Sequence, residues 1–182
     1  NLKQIKRGMV NRFDRYANTV NCRLNRYRDV VWLIGCGRSG TTWVSSLINH
    51  DRRYRELFEP FHPHLVEEMH FLPPHQYVRP NDDYGQLLAA ASRVFSGEFR
   101  HPRVDVANPS FFRKGLLVKD IFANLFAQWV SRKFPEIKIV LLLRNPFAVA
   151  LSVFKKREWL WLDDPLELLR QPCLYDFYLQ SF

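Results

Sequence analysis

Residues Leu33 to Ile48 read LIGCGRSGTTWVSSLI. An apolar run enters, Gly35, Gly37 and Gly40 break it, and Trp43, Val44, Leu47 and Ile48 then recur at helical spacing. The pattern predicts a strand, a tight turn and a helix in direct succession. From Gly35 to Gly40 it has the form G-x-x-x-x-G, the shape of a phosphate-binding loop. Glycines let the backbone turn and approach an anion closely. A helix starting near Thr41 offers unpaired N–H groups and a partial positive charge. Ser39, Thr41 and Thr42 add hydroxyls, and Arg38 adds a planar cation suited to an oxyanion. In a nucleoside-triphosphate loop a lysine follows the last glycine and reaches the β- and γ-phosphates. Thr41 stands there instead, which disfavours ATP or GTP hydrolysis.

Working outward, Val30–Ile34 (VVWLI) suits a buried parallel strand. Arg55–Phe58 is a second short strand, Leu116–Val118 a third, and Ile137–Leu143 the clearest, its IVLLL run read as buried. Helices are expected over Tyr84–Phe95 and from Ile121 through Val130, the latter closed by Pro135. Asn145 caps a further helix with Pro146 in its first turn and Phe147, Ala150, Leu151 and Phe154 on its apolar face. Asp164 and Pro165 open another short helix, and residues 1–29 are mostly helical and polar. Residues 59–82, rich in proline and histidine, read as a long irregular excursion of the kind that carries function. Strands alternating with helices predict an α/β fold, a three-layer domain whose mainly parallel central sheet is flanked by helices. Ligands on such sheets sit at the carboxyl ends of the strands. The glycine loop and Arg144 both follow strand ends, so they share one edge of the sheet despite their separation in sequence.

The chain has 182 residues, 47% hydrophobic and 15% aromatic, which argues against disorder and suits a single domain spanning 1–182. The formal charge is +9, and Lys3, Lys6, Arg7, Arg12, Arg15, Arg23, Arg26 and Arg28 crowd the start. Such a balance suits polyanions, membranes or phosphate-rich ligands; a solvated basic helix explains it equally well. No apolar run approaches the ~20 residues of a membrane span. Cys22, Cys36 and Cys173 are odd in number and widely spaced, and form neither a zinc pattern nor a disulfide framework.

A second constellation is LLLRNPFAVALSVFKK, Leu141 to Lys156. Arg144 ends a strand, Ser152 follows two helical turns later, and Lys155 and Lys156 share its helix face. These groups suit a second phosphate. Two anion sites on one sheet edge fit a nucleoside carrying phosphates at both ends. Together the two segments resemble the sulfotransferases that use 3′-phosphoadenosine 5′-phosphosulfate (PAPS). GRSGTTW resembles that family's 5′-phosphosulfate loop, and LLLRNPFAVALS its 3′-phosphate motif. The resemblance implies that Gly37, Arg38, Ser39, Gly40, Thr41, Thr42 and Trp43 line the 5′ site and that Arg144 and Ser152 hold the 3′-phosphate. It implies PAPS as donor, its bisphosphate (PAP) as product, and no metal requirement. Asn145 stands where the family often has Asp, and either residue caps a helix. Arg38 replaces the lysine of cytosolic aryl and steroid members and resembles carbohydrate-directed and bacterial ones. The family's later glycine-rich segment is not found before Phe182, so the chain is expected to be truncated at its C-terminal side.

The third constellation is ELFEPFHPH, Glu56 to His64. An acceptor hydroxyl must lose its proton as sulfur is attacked, which calls for a base. Glu59 before Pro60 resembles the glutamate proposed as base in carbohydrate sulfotransferases. His62 and His64 are fallback bases. With His70 and Glu67 they are also conceivable metal ligands, though at no standard zinc spacing. Lys119, in LLVKD, ends a strand on the active edge; it faces the sulfate, or it pairs with Asp120 or caps structure. The expectation is a sulfuryl transfer in which Glu59 takes the acceptor proton and Arg38 offsets charge growing on the leaving oxygen, with Lys119, facing substrate or sulfate, as the third catalytic candidate. The acceptor is a hydroxyl, expected on a carbohydrate, with neither nucleic acid nor a membrane segment involved. The compartment follows from related enzymes as bacterial cytoplasm, with the Golgi lumen as the other possibility. A P-loop kinase or NTPase with an altered loop, and a non-catalytic basic module that binds polyanions, are the competing readings.

Overall fold

The computed structural model describes residues 2–24, 26–106, 108, 110–156 and 166–180, with side chains from residue 12 onward except those of residues 26 and 167. A long first helix, α1 (Leu2–Arg23), precedes β1 (Val30–Gly35), α2 (Thr41–Ile48) and β2 (Tyr54–Phe58). After an irregular stretch come α3 (Gly85–Phe95), β3 (Gly115–Asp120), α4 (Ala127–Lys133), β4 (Lys138–Leu142) and α5 (Pro146–Lys155). Two short helices, α6 (Leu166–Leu169) and α7 (Pro172–Leu174), end the described chain together with a π-turn at Tyr175–Leu179. The expected opening of α6 at Asp164 and Pro165 lies outside the described residues.

The four strands form one parallel sheet in the order β2-β3-β1-β4. The connection leaving β1 runs to one side and β4 lies on the other, so the strand order reverses beside β1. The crevice at such a reversal, outside the carboxyl ends of the strands, is where open α/β sheets bind ligands. Register fixes its lip: Gly35 of β1 pairs with Leu142 of β4, Ile34 with Asp120 of β3, and Phe58 of β2 with Lys119.

Side-chain alternation divides the sheet into two faces. Val30, Trp32 and Ile34 join the larger core, where Trp32 packs against Phe95 at 5.5 Å, Phe126 at 5.9 Å and Phe61 at 6.2 Å between ring centroids. Leu33 and Leu117 face the other way, into a smaller cluster under Val44 and Ile48 of α2. The outer edge of β2 is covered by residues 104–106. Phe58 N–H donates to Val104 O at 2.8 Å and Val106 N–H to Glu56 O at 3.2 Å. The buried Arg55 pins this cover through Asp105 at 2.5 Å. α1 is tied down by polar groups: Asn21 donates to Phe111 O at 2.6 Å and accepts from Arg113 N–H at 2.8 Å. Arg12, Arg15, Arg23 and Arg28 are exposed.

Three features differ from the sequence expectation. The helix expected from Ile121 begins only at Ala127, after a turn at Asn124–Phe126. The cause is Asp120, whose carboxylate accepts the N–H groups of Phe122 at 2.7 Å and Phe61 at 2.9 Å and holds the chain in a turn. β4, expected to be buried, is an edge strand with Val140 and Leu141 exposed. α5 keeps its expected apolar stripe but buries none of it; Phe147 is 82% and Phe154 81% exposed. Periodicity marks a face as apolar without saying what covers it, and among the described residues nothing does. No helix there is long and apolar enough to cross a membrane.

Gly35 closes β1 where the loop must pass close to its neighbours. A Cβ at this position would stand 2.8 Å from Leu142 O and 2.9 Å from Thr41 Cγ2. Gly35→Ala is therefore expected to cost roughly 1–3 kcal/mol, the range for overpacking a filled site. Urea denaturation checks this.

Candidate functional site

The glycine loop is built for an anion by its backbone. Arg38 and Gly40 both adopt left-handed conformations, with φ of 66° and 102°. Glycine takes this conformation freely, whereas at Arg38 it is strained. Gly40 is the N-cap of α2 and offers no side-chain cap. The first helical bond of α2 runs from Val44 N–H to Gly40 O at 3.1 Å. Earlier N–H groups of the first turn therefore face the loop mouth, where an anion would satisfy them.

β4 brings the second constellation onto this loop. Arg144 Nη1 donates to Arg38 O at 2.9 Å, and Arg38 Nε donates to Ser152 Oγ at 3.1 Å. The Arg144 segment leaves β4 two residues beyond the Gly35–Leu142 pair, which sets its reach. Asn145 caps α5 as expected, accepting from Phe147 N–H at 3.0 Å and Ala148 N–H at 3.2 Å. Lys155 and Lys156 are exposed near the end of α5.

From the opposite side come Glu59 and Lys119. Lys119 Nζ lies 2.6 Å from Glu59 Oε1, and Arg103 Nη2 lies 3.1 Å from Glu59 Oε2. Glu59 and Lys119 are buried. Lys119 pairs with Glu59, a partner the sequence reading did not name, and not with Asp120, its neighbour in the strand, whose carboxylate accepts the Phe61 and Phe122 N–H groups on the other face of the sheet. Glu59 is itself left-handed, φ 52°. Its N–H is held by Lys119 O at 2.6 Å and its carbonyl accepts from His62 N–H at 3.2 Å.

These groups meet in one cavity of about 350 Å³, lined by Gly37, Arg38, Gly40, Thr41, Thr42, Trp43, Glu59, Lys119, Arg144 and Ser152, with Phe58 and Ile121. Its size is that of a small-ligand site. Among the residues expected to bind the donor, Ser39 alone lies outside it. It lines an adjoining groove with Arg144, and its Oγ is buried without a hydrogen-bond partner among the described residues. Buried donors without partners are uncommon, and a bound anion would supply one.

A model of the sulfotransferase family matches residues 31–162. The chain belongs to the sulfotransferase family. No curated protein and no solved structure matches it. The matched span runs from β1 through the whole of α5, so the sulfotransferase domain holds both the loop and Arg144.

The fallback bases sit differently in this sulfotransferase. His62 is buried, and its ring lies 4.4 Å from that of Phe122 between centroids. His62 Nδ1 accepts the His64 N–H at 3.2 Å, and His64 itself is exposed. Neither histidine lines the cavity. No group of three or more His, Cys, Asp or Glu among the described residues is arranged to hold a metal ion. Arg103 and Asp120 matter to the site, yet sequence reasoning gave neither a role. Arg103 sits in an irregular stretch without a motif, and Asp120 entered only as a partner for Lys119.

Two buried groups make stability depend on pH in opposite senses. Burial raises the Asp120 pKa from 3.8 to about 6, although two backbone N–H groups pull it down. Folding then binds a proton, so this contribution falls as pH rises from about 4 to about 6. Burial, with Arg103 nearby, lowers the His62 pKa from 6.5 to about 4. Its contribution is lost as pH falls through the same window. The wild type should show partial cancellation. Asp120→Asn should leave stability rising with pH between 4 and 6.5, and His62→Gln should leave it falling, each by roughly 2–3 kcal/mol. Denaturation midpoints across this range decide it.

Proposed function

We propose that the chain transfers the sulfuryl group of PAPS to an acceptor hydroxyl, and that the acceptor is a carbohydrate. The observation that carries the donor assignment is the contact of Arg144 with the glycine loop, which gathers two anion sites into one crevice. In this reading the first-turn N–H groups of α2, with Thr41 and Thr42, hold the 5′-phosphosulfate. Arg144 and Ser152 hold the 3′-phosphate, and Trp43, which is 67% exposed at the mouth, borders the donor. Donors and cations dominate the wall, as a ligand of several negative charges requires. The absence of a lysine after Gly40 supports a sulfuryl rather than a triphosphate ligand.

Glu59 takes the acceptor proton. It faces the same cavity as the loop, and the two bonds to its carboxylate hold it oriented. Lys119 lines the same cavity as Glu59 and the loop, and in this reading it turns from the carboxylate toward the sulfuryl group. Arg38 offsets charge on the oxygen that leaves with the phosphate. Positioning of donor and acceptor in line supplies much of the rate. The carbohydrate assignment rests on Glu59–Pro60 and on Arg38, the features shared with carbohydrate-directed members. The irregular stretch 59–82 follows directly from Glu59 and is placed to shape the acceptor side.

Calorimetry with adenosine 3′,5′-bisphosphate tests the donor assignment. Wild type should bind, and Arg144→Ala should weaken binding by about 1.5–3 kcal/mol, the worth of a charge-assisted hydrogen bond. Equal affinity in both proteins would remove Arg144 from the site, and tight ATP binding with magnesium but none of the bisphosphate would favour a nucleotide kinase. For catalysis, Glu59→Gln should keep bisphosphate affinity within a few-fold while sulfuryl transfer falls about 10²–10⁴-fold. Transfer from labelled donor to a mixed glycan pool reads this.

A further inference from the structure

We infer that Arg103 is a positioning residue for Glu59, holding the carboxylate from behind so that it stays aimed when Lys119 engages the sulfuryl group. The inference rests on the reading of Glu59 as the base. Its starting point is the division of labour around that carboxylate. Oε1 meets Lys119 and Oε2 meets Arg103, at 2.6 Å and 3.1 Å. Glu59 and Lys119 line the cavity, but Arg103 does not. One cation thus shares the reaction space with the carboxylate and the other lies outside it.

The bonding of Arg103 sets it apart from the arginines that hold the fold. Arg55 donates to Gly97 O and Phe99 O as well as to Asp105. Arg113 donates to Ser110 O and Asn108 O as well as to Asp14. Each of these is anchored by several main-chain carbonyls, as a structural cation is. Arg103 has Glu59, while its Nη1 is buried with no partner among the described residues. A guanidinium in that state satisfies little besides the carboxylate it meets.

The surrounding chain delivers Arg103 to this position. Residues 104–106 lie along the outer edge of β2, fixed by Phe58 N–H to Val104 O and by the Arg55–Asp105 pair. Asp105 also accepts the His101 N–H at 3.1 Å, and His101 Nδ1 accepts the Arg103 N–H at 3.2 Å. The turn bearing Arg103 is therefore tied on both sides by hydrogen bonds, and β2 itself runs into Glu59. Glu59 needs such support. Its left-handed backbone is strained, and its side chain would lose a partner whenever Lys119 turned away. A carboxylate in a buried site with no remaining cation is costly. Arg103 removes that cost and fixes the orientation.

The test reads Glu59 directly. In protein carrying carbon-13 glutamate, the Glu59 side-chain signals are identified by their loss in Glu59→Gln. Wild type with bound bisphosphate should show distinct, unaveraged γ-methylene signals. Arg103→Gln should average them, and Arg103→Lys should restore them, with bisphosphate affinity within twofold throughout. Transfer from PAPS should show kcat lowered about 10–100-fold in Arg103→Gln, as for loss of a supporting partner, with donor KM unchanged and partial rescue by lysine. Glu59 signals equally distinct in Arg103→Gln and wild type would overturn the inference. So would a lysine variant as averaged as the glutamine one. Failure of wild type to bind the bisphosphate would instead sink the donor assignment, and the Glu59 signals of the free protein would still decide the role of Arg103.

Discussion

The site depends on the parallel pairing of β1 with β4. That register places Leu142 beside Gly35, so the chain leaving β4 and the chain leaving β1 turn over the same lip. Arg144 then donates to the main-chain carbonyl of Arg38, and Arg38 reaches across to Ser152. Residues more than a hundred positions apart become one surface because two strands end level. A slip of the register by one residue would turn every side chain of β4 to the other face. The tight passage at Gly35 belongs to the same constraint, since the loop has no room to shift away from β4.

The charge pattern follows from this geometry. Arg38, Lys119 and Arg144 converge on a cavity whose lining among the described residues includes a single carboxylate, Glu59, already paired on both oxygens. Buried ion pairs contribute little to stability once desolvation is counted, so the Lys119–Glu59 pair adds little as a brace, which is consistent with the role proposed for it above. Asp120, one residue from Lys119 but on the opposite face, does the structural work with its two N–H bonds. Alternation along β3 thus separates a side chain that lines the cavity from a fold-forming one. Arg12, Arg15 and Arg23 of α1 are exposed and do not line this cavity.

Much of this was legible in the chain. The loop, its helix and the Asn145 cap are local patterns, and their physics is contained in a few consecutive residues. The shared sheet edge of the loop and Arg144 followed from strand ends alone, and the parallel α/β class from the alternation of strands with helices. What stayed hidden was set by distant partners. The late start of α4 depends on Asp120 binding Phe61, far away in sequence. The exposure of β4 and α5 depends on what covers them, which periodicity does not encode. Arg103 reaches Glu59 only because residues 104–106 lie along β2, and that placement relies on a buried pair between Arg55 and Asp105.

The most direct test of the central claim is a crystal structure with adenosine 3′,5′-bisphosphate bound. The account predicts the 5′-phosphate on the first-turn N–H groups of α2 and the 3′-phosphate within hydrogen-bond reach of Arg144 and Ser152. A nucleotide lying the other way round, or one bound clear of Arg144, would contradict it.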